Sequence, residues 1–223
     1  MGYFPFFMDI GGKCGVIAGG GRVAARKVEK LLAFGPNLTV IAPEIEACIR
    51  EMKEQLQEEQ ISSIILQERL FQMSDLAGAD FVIAATDDDV LNGRISEYCM
   101  AERIPVNVVD DRAKCSFFFP ALIQEGDLTI GICTNGKSPA AAAWVRNELS
   151  QVLPDGLGKA IDLMGQIRPY IMETDMPEST RRDILEKLFV YCIERGGEIL
   201  LEELKERMME MQSRASEEEW KAG

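Results

Sequence analysis

Residues 15–27 read GVIAGGGRVAARK: a short apolar run, three glycines, then a helical pattern with a basic start. Gly19, Gly21 and Ala24 fit the spacing GxGxxA between a strand and a helix. There the first glycine permits a tight turn and the second lets the backbone approach a pyrophosphate. The alanine lets helix pack closely on strand. The helix N-terminus offers free N–H groups and a partial positive charge to the same anion. A glycine turn with no ligand is the bland alternative, and the flanking strand and helix favour dinucleotide binding over it.

Outward from this junction, strand-length apolar runs appear at CGVIA, LTVIA, SSIIL, DFVIAA and PVNVV up to Asp111. Helical stretches fall between them at 22–35, 44–59, near 73–77, and at 88–102. Strands alternating with helices predict a parallel sheet covered on both faces. The segment SFFFPALIQEGDLTIGICTN then reads as two strands joined at Glu125-Gly126-Asp127. With Phe117, Phe118 and Phe119 placed in it, this hairpin needs covering by another domain or a second copy of the chain. Beyond GKSP the pattern is helical: Ser138 caps a helix that Pro139 starts, two more span 156–173 and 178–195, and a last one from about 198 frays in the acidic EEEWKAG. The fold expected is α/β, with a Rossmann-type parallel sheet over 1–112, a dimerisation hairpin region over 113–150 and a helical C-terminal domain over 151–223.

The formal net charge is −13. Residues 1–112 carry 11 basic and 18 acidic side chains, residues 151–223 carry 10 and 16, and residues 113–150 carry three of each. No basic stripe is available to neutralise phosphates, which excludes a nucleic-acid binder. The neutral middle is the place expected to accept an anionic small molecule. No histidine is present, so proton transfer falls to Asp, Glu, Lys, Tyr or Cys. The six cysteines form no CxxC pair and read as reduced, small core residues; no metal site is expected. The first residues show neither a signal peptide nor a spanning helix, so a cytoplasmic location is expected.

Carboxyl ends of strands are where open α/β sheets bind ligands. Glu44, just past the second strand, is a candidate for the ribose hydroxyls of NAD, whereas Arg22 would favour a 2′-phosphate; NAD is preferred. After the fourth strand, Thr86 is expected to line the cofactor cleft, and Asp88 and Asp89 to cap the next helix. After the fifth, Asn107, Asp110 and Asp111 sit near the cleft edge. A carboxylate there takes a proton in a redox reaction or merely turns the chain.

GGGRVAARK, AATDDDVLNGRIS, VNVVDD, SFFFPALI, GKSPAAAAWVRNEL and LPDGLG occur in this order. Together they resemble the precorrin-2 dehydrogenase / sirohydrochlorin ferrochelatase family, in its free-standing form without a methyltransferase portion, over residues 3 to about 158. The resemblance implies oxidation of precorrin-2 to sirohydrochlorin with NAD accepting hydride, and in some members insertion of Fe²⁺ at the same cavity. It implies a homodimer. It places the key aspartate at Asp110, and cofactor contacts at Arg22, Val23, Pro43 and Glu44, which join Gly19, Gly20, Gly21 and Thr86 from the loop and strand-end reading. Asn107, Lys114, Ser116, Lys137 and Ser138 become the expected substrate contacts, because the tetrapyrrole carries many carboxylates. Arg146 reads as ordinary surface charge. Thr134 stands where the bacterial fusion form has a phosphorylated serine. The alternative from another class is a regulatory nucleotide-sensing module without catalysis. It accounts for the glycine loop and the sheet, and not for the Asp110 loop or GKSP.

Overall fold

The computed structural model describes residues 4–56 and 62–222, with side chains as far as 214. The predicted helix end at 57–59 and Gly223 lie outside the described residues. The chain divides into two compact units, Met1–Phe119 and Pro120–Gly223.

The first unit is built on five parallel strands: β1 (Cys14–Ala18), β2 (Asn37–Ala42), β3 (Ser63–Glu68), β4 (Phe81–Ala84) and β5 (Val106–Val108), in the order β3-β2-β1-β4-β5. The crossovers are α1 (Arg22–Leu32), α2 (Ala47–Gln55) and α3 (Asp89–Ala101), with 3-10 turns at Met73–Leu76 and Arg112–Lys114. Pleating divides β1, β2 and β4 between two cores. Ile17, Leu38, Val40, Phe81 and Ile83 pack with Ala24, Ala25, Val28 and Leu31 of α1 and Ile49 of α2. Val16, Ala18, Val82, Ala84, Val106 and Val108 pack with Ile95 and Cys99 of α3. Strands buried on both faces explain the continuous apolar runs. The sheet and its crossovers are the Rossmann-type arrangement expected, with element ends shifted by a few residues. α1 stops short of Gly35, which turns the chain with φ 74°.

The second unit pairs β6 (Ala121–Glu125) with β7 (Leu128–Ile132) antiparallel across Gly126-Asp127. Behind them come α4 (Pro139–Val152), α5 (Leu157–Met172), α6 (Glu178–Glu194) and α7 (Leu201–Ala222). Ser138 caps α4, its Oγ accepting from the Ala141 N–H at 3.1 Å. Ile167, Ile171, Ile184, Leu188, Cys192 and Leu204 form the core of α5–α7. Turns here meet backbone to backbone: a Cβ built on Gly156 would lie 1.8 Å from the Gly196 carbonyl oxygen, and one on Gly158 2.8 Å from that of Glu125.

Two expectations are corrected. Phe117–Phe119 do not lie in the hairpin strands. They end the first unit, half-buried, with Phe119 packed on the α1–α2 core. The phenylalanine triplet therefore gives no reason for a dimer. Only Cys99 and Cys192 are buried core cysteines; Cys14 and Cys133 are exposed, and all six are free. α7 runs to Ala222. Among the described residues no helix is long and apolar enough to cross a membrane.

Candidate active site

The glycine loop makes its cleft with backbone. Gly19 has φ 115°, and a Cβ there would meet the Ala85 carbonyl oxygen at 2.2 Å; one on Gly20 would meet that of Glu44 at 2.4 Å. Gly21 differs: a Cβ on it meets nothing within 4 Å, so its open side faces empty space. The first bond of α1 is donated by Ala25 to the Gly21 carbonyl at 3.0 Å. The N–H groups of Arg22, Val23 and Ala24 thus have no helical acceptor. Arg22 is almost fully exposed, with its Nε 3.8 Å from Glu46.

The cleft in front of this loop measures about 880 Å³ and is lined by Gly19–Gly21, Pro43, Glu44, Glu46, Leu70, Phe71, Thr86, Asp87 and Asp88, among others. An open backbone cradle, unpaired first-turn N–H groups and carboxylates past β2 fit a dinucleotide with a free ribose 2′-hydroxyl. Thr86 is held in place by buried Asn92: its Oγ1 donates to Asn92 Oδ1 at 2.8 Å, and Asn92 Nδ2 donates to the Thr86 carbonyl at 2.8 Å. Asp88 is the cap of α3, accepting from Val90 and Leu91. Asp89, expected to cap as well, stands in the first turn. Glu46, Leu70 and Phe71 were missed. Their signal was position, since the last two follow the carboxyl end of β3.

At β5 the register pairs Ala84 with Val108, so Thr86 and Asp110 leave the same edge of the sheet. Asp110 is exposed, with φ 58°. Among the described residues its carboxylate makes no hydrogen bond or ion pair. Asp111 is engaged: it pairs with Lys114 Nζ at 2.9 Å and accepts from the Ala113 N–H at 3.1 Å. The Lys114 ammonium holds the Asp111 carboxyl below its usual range, and Asp111 raises Lys114 in return.

The other polar groups expected here also bond inside the unit. Asn107, 6% exposed, donates Nδ2 to the Phe117 carbonyl at 3.0 Å. Ser116 Oγ accepts from the Val106 N–H at 2.8 Å. The Cys115 thiol lies 3.2 Å from the carbonyls of Val108 and Asp111. Burial pushes that thiol up from its ordinary value. One neighbour went unread in the sequence: Lys27 of α1, whose Nζ stands 3.7 Å from the Phe119 ring centroid. In the second unit, Lys137 is exposed and Ser138 is committed to capping α4, while Thr134 Oγ1 donates to the Ser138 carbonyl at 3.0 Å.

Residues 125–151 match the family described as "Sirohaem biosynthesis protein central". Relatives named siroheme synthase include those of Nitrosospira multiformis (36% identical over 189 residues, 84% of this chain and 39% of the relative) and Actinobacillus pleuropneumoniae (31% over 192 residues, 86% and 38%). The chain thus spans about two-fifths of the length of these curated relatives. Among solved structures, SirC, a precorrin-2 dehydrogenase, superposes with a TM-score of 0.71 at 20% identity, covering 95% of this chain and 100% of that one, which shows a shared fold. Residues 6–121, more than half of the chain and the whole of the glycine-loop cleft, match the family described as "Putative NAD(P)-binding", and the chain belongs to that family.

Proposed function

We propose that the protein oxidises precorrin-2 to sirohydrochlorin, with NAD as the hydride acceptor. The observation that carries this reading is the pairing of a backbone nucleotide cradle with one unengaged carboxylate, Asp110, at the same edge of the sheet. The names of the relatives and of the structural neighbour supply the substrate.

Bound NAD supplies a two-electron acceptor for hydride. Gly19–Gly21 and the N–H groups of Arg22 and Val23 hold its pyrophosphate, Pro43 and Glu44 meet the adenosine ribose, and Thr86 lines the cleft. The carboxylates of Glu44 and Glu46 oppose a 2′-phosphate, which favours NAD over NADP. Oxidation removes one hydride and one proton from the macrocycle; Asp110 takes the proton. Asn107, Lys114 and Ser116, expected to touch substrate, are assigned instead to holding the Asp110 loop. Lys137 and the α4 N-terminus at Ser138 are assigned to substrate carboxylates. The three-part division at 112 and 150 is kept as a functional division.

The protein works as a homodimer in the cytoplasm. The dimer is supported by α4, which buries only Ala142 and leaves Trp144 and Val152 exposed. The compartment is supported by six free cysteines. Mixing the protein with precorrin-2 and NAD should form NADH. A protein that binds NAD yet forms none from precorrin-2 overturns the reading. Adding Fe²⁺ to the product tests metal insertion as a second reaction.

A further inference from the structure

α1 packs on the face of the sheet that carries Ile17 of β1 and Ile83 of β4, and the register sets Asn107 of β5 beside Ile83. On the face of β5 that carries Asn107, the covering is the chain itself, tied down by the bond from Asn107 to Phe117 and ending at Phe119. Lys27 stands at the border of that covering, half-buried, its ammonium on the Phe119 ring. No carboxylate among the described residues lies within ion-pair distance of it. Asp110 lies in electrostatic reach and makes no ion pair with any described residue. The charges facing Lys27 are Arg26 and Lys30 on its own helix, and Cys115 and Asp110 from the segment after β5. Burial first, then Lys30 and Arg26, push Lys27 down from 10.5 to about 8. A cation over an aromatic face, beside two further cations and with no carboxylate at ion-pair distance among the described residues, is a frame for an anion.

We infer that Lys27, on the Phe119 ring beside Asp110, is a binding site for a carboxylate of the substrate. This rests on the proposed oxidation of a polycarboxylate tetrapyrrole. A carboxylate seated there neutralises the charge that burial and the neighbouring cations disfavour, and brings the macrocycle edge to Asp110. The site works while Lys27 is protonated, below pH about 8, and weakens as pH rises through that value.

The test uses the full chain and two readouts. In the first, acetic anhydride labels amines across a pH series, read by peptide mass spectrometry, with and without a porphyrin octacarboxylate as probe. Lys27 should label with a midpoint near pH 8, and the porphyrin should protect it while NAD does not. In the second, Lys27→Met should weaken porphyrin binding and raise the tetrapyrrole KM by about 10- to 100-fold, the loss of one charge-assisted contact, with NAD affinity unchanged. Lys27→Arg should restore binding and abolish the loss of kcat/KM above pH 8, because guanidinium stays charged. Unprotected Lys27 together with unaltered porphyrin binding in Lys27→Met overturns the inference. Protection without NADH formation from precorrin-2 upholds the carboxylate site and overturns the dehydrogenase reading; normal NADH formation with unprotected Lys27 does the reverse.

Discussion

Gly19–Gly21 and the segment after β5 leave the same edge of one sheet, two strands apart, and build their parts of the site in opposite ways. At the glycines the working surface is backbone. Two Cβ positions are forbidden by neighbouring carbonyls, and the third faces empty space. After β5 the working group is a single side chain. Asn107, Asp111, Lys114, Cys115 and Ser116 are all bonded within the protein, and their bonds fix the loop that leaves Asp110 free. The backbone site tolerates almost no substitution at Gly19 and Gly20, whereas the side-chain site rests on neighbours that never need to touch the ligand.

The largest test of that contrast is Asp110→Asn. Asparagine tolerates the left-handed backbone, so the loop should keep its shape while losing a base. Turnover with precorrin-2 should fall by ~10²–10⁴ with NAD binding intact, as measured by NADH formation and by titration. Near-normal turnover would remove Asp110 from proton transfer, and Asp111 could not replace it without giving up Lys114.

Next come the glycines. Gly21→Asp should fold and lose NAD affinity by about 10²-fold or more, since its carboxylate enters the pyrophosphate space. Gly19→Ala should instead cost about 3 kcal/mol of stability, from backbone strain and the collision with Ala85. Thermal unfolding and NAD titration of the pair separate the two. Equal melting temperatures would mean that the loop is less constrained than its geometry indicates.

Asn107→Leu should cost about 1–3 kcal/mol, because the Phe117 carbonyl loses its buried donor. It should lower turnover more than NAD affinity. The smallest effect is that of Lys27→Met on the pH dependence of stability. The folded pKa of Lys27 is depressed, so the unfolded chain binds more protons between pH about 8 and 10.5. Wild-type stability should therefore rise with pH across that window relative to Lys27→Met. With the side chain half-exposed, the difference in Tm is on the order of 2 °C.

The contrast also explains what could be read from the chain in advance. Gly19 and Ala24 announce themselves because a positive φ and tight burial restrict residue type there, and Gly21 by its spacing from them. β1 and β4 are legible because both of their faces are buried and their runs are apolar. Asp88 as a cap follows from spacing alone. Whether Lys114 is free or paired was open to the i,i+3 spacing from Asp111, which went unused. Lys27 gave no such sign. On a helical wheel it is ordinary surface charge, and only Phe119, folding back from far along the chain, makes it something else. The phenylalanine triplet misled for the same reason: local pattern registers that a residue wants burial and is silent on which partner provides it.

In the second unit, the hairpin turn rests on Gly158, and Gly156, two residues earlier at the start of α5, rests on the turn that follows α6. No side chain separates these contacts, so none can rearrange to absorb a partial opening. The β6–β7 hairpin is thereby latched to the helices as well as held by its own strand pairing. Its amide hydrogens should exchange together with those of the first turn of α5, through one shared opening event, and a hairpin that is marginal by itself acquires the lifetime of a helical bundle.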